Sequence, residues 1–139
     1  MKTITTKKAR FVDLYSGLHS VKTLKNKKLA LVAGKNINIL NESLKDLEEA
    51  NAPSEEFMQL ANKVNVITKA NSEDGRDQIT KLEEENKELV EQRRSQLAAV
   101  KKLMEDELTL DLHTISEDDL PNEVNAEQVV LLDLILDEK

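Results

Sequence analysis

Few side chains in this sequence could do chemistry, and they are scattered. His19 and His113 are the only histidines, cysteine is absent, and the densest acidic runs are Glu83-Glu84-Glu85 and Glu117-Asp118-Asp119. Paired carboxylates can serve as general acid and base, and clustered carboxylates with histidine can hold a divalent cation. Neither pattern is completed here. The acids at 83–85 fall on a solvated helix face, and those at 117–119 read as a helical turn capped by Ser116 and closed by Pro121. The run SEDGRD at 72–77 resembles a calcium loop only loosely. It lacks the alternating acids and the closing glutamate at the required spacing. Gly34 in VAGKN has neither the second glycine nor the Gly-Lys-Ser/Thr of a phosphate loop. His19 sits near a helix end, where an imidazole meets free carbonyls, and reads as a surface residue. No cysteine means no disulfide, no cysteine metal site and no cysteine nucleophile. The sequence therefore leads us to expect no catalytic residue, no metal ligand and no cofactor, and a chain that is not an enzyme.

The elements that would position any site are helical. Residues 77–108 contain no Gly or Pro and are dominated by strong helix formers. Ile79, Leu82, Leu89, Val90, Leu97, Val100, Leu103, Met104 and Leu108 recur at steps of three, four and seven, which draws one apolar stripe. Asn86 and Arg93 interrupt it. Polar residues at such seam positions can fix register or oligomer state at a cost in stability. A second arm is expected over 29–71, kinked at Pro53. Its seam is Ala30, Ala33, Ile37, Leu40, Leu44 and Leu47, followed by Phe57, Leu60, Val64 and Ile67 behind an N-cap at Ser54. At about 1.5 Å per residue the arms would run about 64 Å and about 48 Å. The natural arrangement is a long antiparallel, coiled-coil-like helical hairpin with its turn at 71–75.

The remaining segments are short. A helix over 7–20 carries Phe11, Leu14, Tyr15 and Leu18 on one face, after a frayed lead at 1–6. Small residues Ala30, Ala33 and Gly34 would let that helix approach the second arm closely. Residues 109–115 alternate, and Leu108, Leu110, Leu112 and Ile115 share one face of a strand-like segment. Its ladder partner would be 20–25, 122–125 or another protomer. Asn125 caps a last helix over 126–136 in which Val129, Val130, Leu132, Ile135 and Leu136 are apolar on most sides. Such a helix must dock on the chain's own first helix or on another subunit. The expectation is a mainly α, single elongated domain over 1–139.

Composition supports that reading. Charged residues are 34% and aromatics 2%, which favours long helices over a wide globular core. The net charge of −7 hides an asymmetry: residues 1–40 hold nine Lys/Arg and one acid, residues 105–139 one Lys and twelve acids. The two ends could attract within or between protomers. The acidic total and scarce aromatics argue against nucleic acid. No apolar run is long enough to span a membrane, and the opening MKTITTKKARF has no secretory h-region.

The order of these motifs carries a resemblance. LYSGL is followed by a basic connector, GKNINIL, LEEA and PSEEF, then a charged arm and ELTLDLHTISEDDLPNEVNAEQVVLLDLIL. This resembles a family of small tailed-bacteriophage proteins of unknown function, though the tip at 72–76 is shorter than in that family. The resemblance implies origin in a phage genome and a place in the host cytoplasm during infection or in the virion. It transfers no catalytic or ligand residue. The expected partners are proteins, either a second copy or phage structural components, and the role that of a virion accessory component or assembly factor. The alternative is a small acidic inhibitor of a host or defence protein.

Overall fold

A computed structural model describes residues 1–71 and 73–137. Ser72, part of the expected turn, lies outside the described residues. Among the described residues the protein is mainly helical. It has seven α-helices (α1, Lys8–Val21; α2, Lys27–Ser43; α3, Lys45–Asn51; α4, Glu55–Ala70; α5, Gly75–Glu85; α6, Lys87–Met104; α7, Ala126–Leu131) and four short strands (β1, Lys2–Lys7; β2, Glu107–Leu112; β3, Ile115–Ser116; β4, Leu136–Asp137). The chain divides into two compact units, residues 1–47 with 102–137, and residues 48–101. The boundaries fall inside α3 and α6.

The first unit holds most of the buried core. Phe11, Leu14, Leu18 and Val21 line one face of α1, and Leu29, Ala33 and Leu40 one face of α2. Leu112, Ile115, Leu132 and Ile135 close over them. The segment read as a frayed lead is instead strand β1, antiparallel to β2, with Ile4 opposite Leu110 and Thr5 opposite Thr109. The ladder therefore forms within the chain, and not with 20–25, 122–125 or a second protomer. β-Branched Thr3, Ile4, Thr5 and Thr6 suit a pleated edge, and the Thr5 and Thr109 hydroxyls lie 2.8 Å apart across it.

The last helix is shorter than expected. Asn125 and Gln128 form a reciprocal capping box, but α7 ends at Leu131. A 3-10 turn at 133–135 follows, and β4 then pairs in parallel with β3. An eleven-residue helix apolar on most sides cannot turn all of them inward. Leaving the helix lets Leu132, Ile135 and Leu136 all enter the core while Asp133 and Asp137 stay wet. α7 packs on α1 where the mid-helix Gly17 sits. A Cβ on Gly17 would lie 2.7 Å from Leu131 Cβ, so glycine is required by close approach. Gly34, by contrast, faces open space.

The charge asymmetry is met inside this unit. Lys7, Arg10 and Lys28 from the basic end pair with Glu105, Asp133 and Asp119 from the acidic end, at 2.8, 3.6 and 2.6 Å. Each pair is exposed and individually weak. The Lys7 ammonium is held above the ordinary lysine range, first by the hydrogen bond it donates to Glu105 and then by that carboxylate's charge. A raised value means its contribution is fully present below the ordinary lysine pKa and is lost as pH rises through the raised one.

In the second unit Ser54 accepts from the Phe57 amide as the N-cap of α4, and Asn71 ends that helix in the left-handed conformation. α4 lies beside α5. The expected continuous helix over 77–108 begins at Gly75, ends at Met104 and is distorted at Asn86, whose φ is −116° and ψ 32°. Helical hydrogen bonding nevertheless continues through it, from Asn86 N to Leu82 O and from Val90 N to Asn86 O.

Candidate interaction surfaces

Two surfaces stand out, one in each unit. In the first, α1 and α2 leave an open groove of about 660 Å³ lined by His19, Lys22, Thr23, Ala30, Leu31, Gly34, Lys35, Ile37 and Asn38. The heptad reading of α2 placed Ala30 and Ile37 on the inner seam. Instead Leu29, Ala33, Asn36 and Leu40 are buried. Ala30 is exposed and Ile37 half-buried, and both line the groove with Leu31, which is 54% exposed. The His19 ring stands edge-on to Tyr15 at 4.5 Å, and its Nδ1 lies 3.0 Å from Lys22 Nζ. A lysine ammonium can only donate, so Nδ1 is the acceptor in that contact, and among the described residues no hydrogen-bond partner meets the enclosed Nε2. Lys22 and Lys35 stand on the rim of the groove. Among the described residues no three His, Asp or Glu side chains gather where they could hold a metal ion.

The second surface lies on the arm formed by residues 48–101. The less exposed side of α5 and α6 is Ile79, Leu82, Asn86, Leu89, Arg93, Gln96 and Val100, at alternating steps of three and four. Among the described residues of this unit only Leu60 and Val100 are buried apolar side chains. Met58 is 49% exposed, Val66 68% and Leu97 46%. Val66 joins Asn62, Lys63, Ile67 and Leu82 around a shallow, apolar depression of about 450 Å³.

The structure gives the two polar seam residues local work. Asn86 donates its side-chain amide back to Leu82 O, 2.9 Å away, on its own helix. Arg93 donates to Asn51 O at 2.7 Å and to Gln96 Oε1 at 2.9 Å, with its guanidinium 5.7 Å from the Phe57 ring centre. Gln96 in turn donates to Ala50 O and Ala52 O. Together they satisfy carbonyls left open where α3 stops before Pro53. A guanidinium reaches such carbonyls because its donors form a rigid fork.

Of the C-terminal residues singled out in the sequence, Leu132, Ile135 and Leu136 lie in the core of their own unit. Val129 is half-buried and Val130 is 68% exposed. Leu112 and Ile115 are buried in the same core, with Leu108 and Leu110 packed against it. No arrangement brings these residues together with Asn86 or Arg93 within one unit. The residue that sequence reasoning missed is Asn36. It is fully buried, donates to His113 O and accepts from His113 N, both at 2.8 Å. A polar residue in the α2 stripe between Ala33 and Leu40 was the available signal.

No family model, curated protein or solved structure matches this chain.

Proposed function

We propose that this is a non-enzymatic, phage-type helical interaction protein, a virion accessory component or assembly factor that self-associates or docks on a larger assembly. On this reading residues 29–71 and 77–108 work as a long antiparallel, coiled-coil-like hairpin. The observation that carries it is the contrast between the units: a well-filled core in the first, and an arm in the second that leaves Met58, Val66 and Leu97 exposed. Short polar-seamed helical pairs bury too little on their own and gain stability by association. The resemblance of LTLDLHTISEDDLP and its flanking segments to the phage family supplies the setting.

The acidic-inhibitor alternative is less favoured. It needs a free acidic C-terminal region, yet Glu105, Asp119 and Asp133 are engaged by Lys7, Lys28 and Arg10. Quantitative mass spectrometry of purified phage particles tests the proposal. Presence at a fixed copy number, or a block in particle assembly when the chain is removed, is the expected result. Absence from particles whose assembly is indifferent to the chain would overturn it.

A further inference from the structure

We propose that Asp74–Gly75, at the tip between α4 and α5, is a site of spontaneous aspartate isomerisation that loosens the start of α5. The inference goes beyond the interaction-protein reading and does not depend on it. Three observations carry it. First, of the three glycines only Gly75 follows an aspartate or an asparagine. The amide nitrogen after an aspartate can attack that residue's own side-chain carboxyl, and a glycine there has no side chain to hinder the approach. The other nine aspartates are followed by Leu, Gln, Glu or Asp. Second, Asp74 is exposed, and although it occupies the N-cap position its carboxylate makes no capping hydrogen bond. Gly75 is the first residue of α5, where no carbonyl of the same helix accepts its amide. Third, the conformation that must give way is weakly held. Asp74 has φ −85° and ψ −3°, and closing the ring requires rotation about ψ. The helical bond that this rotation breaks is Gln78 N to Asp74 O, at 2.9 Å. Leu60 and Val100 are the only buried apolar side chains among the described residues of this unit, so opening the first turn of α5 breaks few apolar contacts.

In the first step the Gly75 nitrogen bonds to the Asp74 Cγ. One carboxyl oxygen leaves as water, taking the amide proton and the carboxyl proton, and a five-membered succinimide remains. In the second step water adds to one of the two ring carbonyls, so the atoms lost are regained. Opening at the α-carbonyl leaves isoaspartate, with the mass of the starting chain. The main chain then runs through Cβ and Cγ and is one carbon longer between the Asp74 Cα and the Gly75 nitrogen. The former α-carbonyl becomes a free carboxylate. That carbonyl is the group that accepts from Gln78 N, so the first turn of α5 loses its fixed acceptor.

The test holds the full chain at physiological temperature and neutral pH for weeks and then digests it with trypsin, which cuts after Lys69 and Arg76. A second form of the peptide 70–76, equal in mass, is expected to accumulate. It should resist a protease that cuts before aspartate and accept methyl groups from an isoaspartyl methyltransferase. Its yield is expected to exceed isoaspartate at any other aspartate by at least about tenfold. Deamidation of Asn71 changes the mass of the same peptide and is counted separately. Gly75→Ala is expected to lower the signal at least about tenfold. Asp74→Glu, whose ring has six members, is expected to abolish it. Circular dichroism confirms that the helices persist, and if Gly75→Ala loses helix, Asp74→Glu alone decides. Hydrogen exchange is expected to show the Gln78 amide exchanging faster in aged protein than in fresh. Absence of the equal-mass form, a yield no higher than at the other aspartates, a signal that survives Asp74→Glu, or an unchanged Gln78 amide in converted protein overturns the proposal.

Discussion

At the residue scale the side chain that does most for the first unit is Asn36, and it does so by ordering backbone. The two-residue connector between β2 and β3 runs past the buried face of α2, outside either ladder at His113. Asn36 supplies both a donor and an acceptor from one side chain. Asn36→Ala is expected to cost about 2–4 kcal/mol, because two backbone groups lose their partners in a site that water does not readily reach. Chemical denaturation at unchanged slope measures this, and a loss below about 0.5 kcal/mol would show that the connector is held by other means. The residue was hard to find in the sequence for a physical reason. A heptad drawn through Ala30, Ala33 and Ile37 is offset by one position from the stripe the fold buries, Leu29, Ala33, Asn36 and Leu40. Both stripes contain Ala33 and Leu40, and periodicity alone does not choose between them.

At the scale of elements, helices were legible where propensity and caps agreed, and less so where burial decided. Ser54 and Asn125 are N-caps as their types suggest, and the break around Pro53 is where the residue preceding proline should leave the helix. The strand character of residues 107–112 was readable from alternation, but its partner was not. KTITTK carries a single apolar side chain, and its pairing with β2 is a contact between residues about a hundred positions apart. The C-terminal segment failed for the opposite reason: its unbroken apolar run reads as helix, while the core could accept its side chains only by changing conformation after Leu131. Asn86 is a third case: the sequence places it on the seam, where polar residues can fix register, and in the structure it lies on the less exposed side with its amide bonded back to Leu82 O. That back-bond distorts the helix locally without reaching a neighbour. Asn86→Leu is therefore expected to join α5 and α6 smoothly, raising helix content and adding about 0.5–1 kcal/mol to stability. Thermal unfolding by circular dichroism reads both, and a less stable, less helical product would mean the distortion is needed by the arm.

At the scale of the molecule, the two units are built on unequal cores. Fourteen buried apolar side chains belong to the first unit and two to the second, among the described residues. Local opening free energy follows the apolar contacts that opening must break, so the helices of residues 48–101 should open well before those of residues 8–43. Hydrogen exchange at low protein concentration is expected to show amides of α4 and α5 exchanging at least about tenfold faster than those of α1 and α2. Association that covers the exposed Met58, Val66 and Leu97 binds the folded second unit and not the open one, so protection there should rise with protein concentration while that of α1 and α2 stays constant. Arm amides that are as protected as the α1 core at every concentration would mean the polar seam of Asn86, Arg93 and Gln96 stabilises the arm by itself.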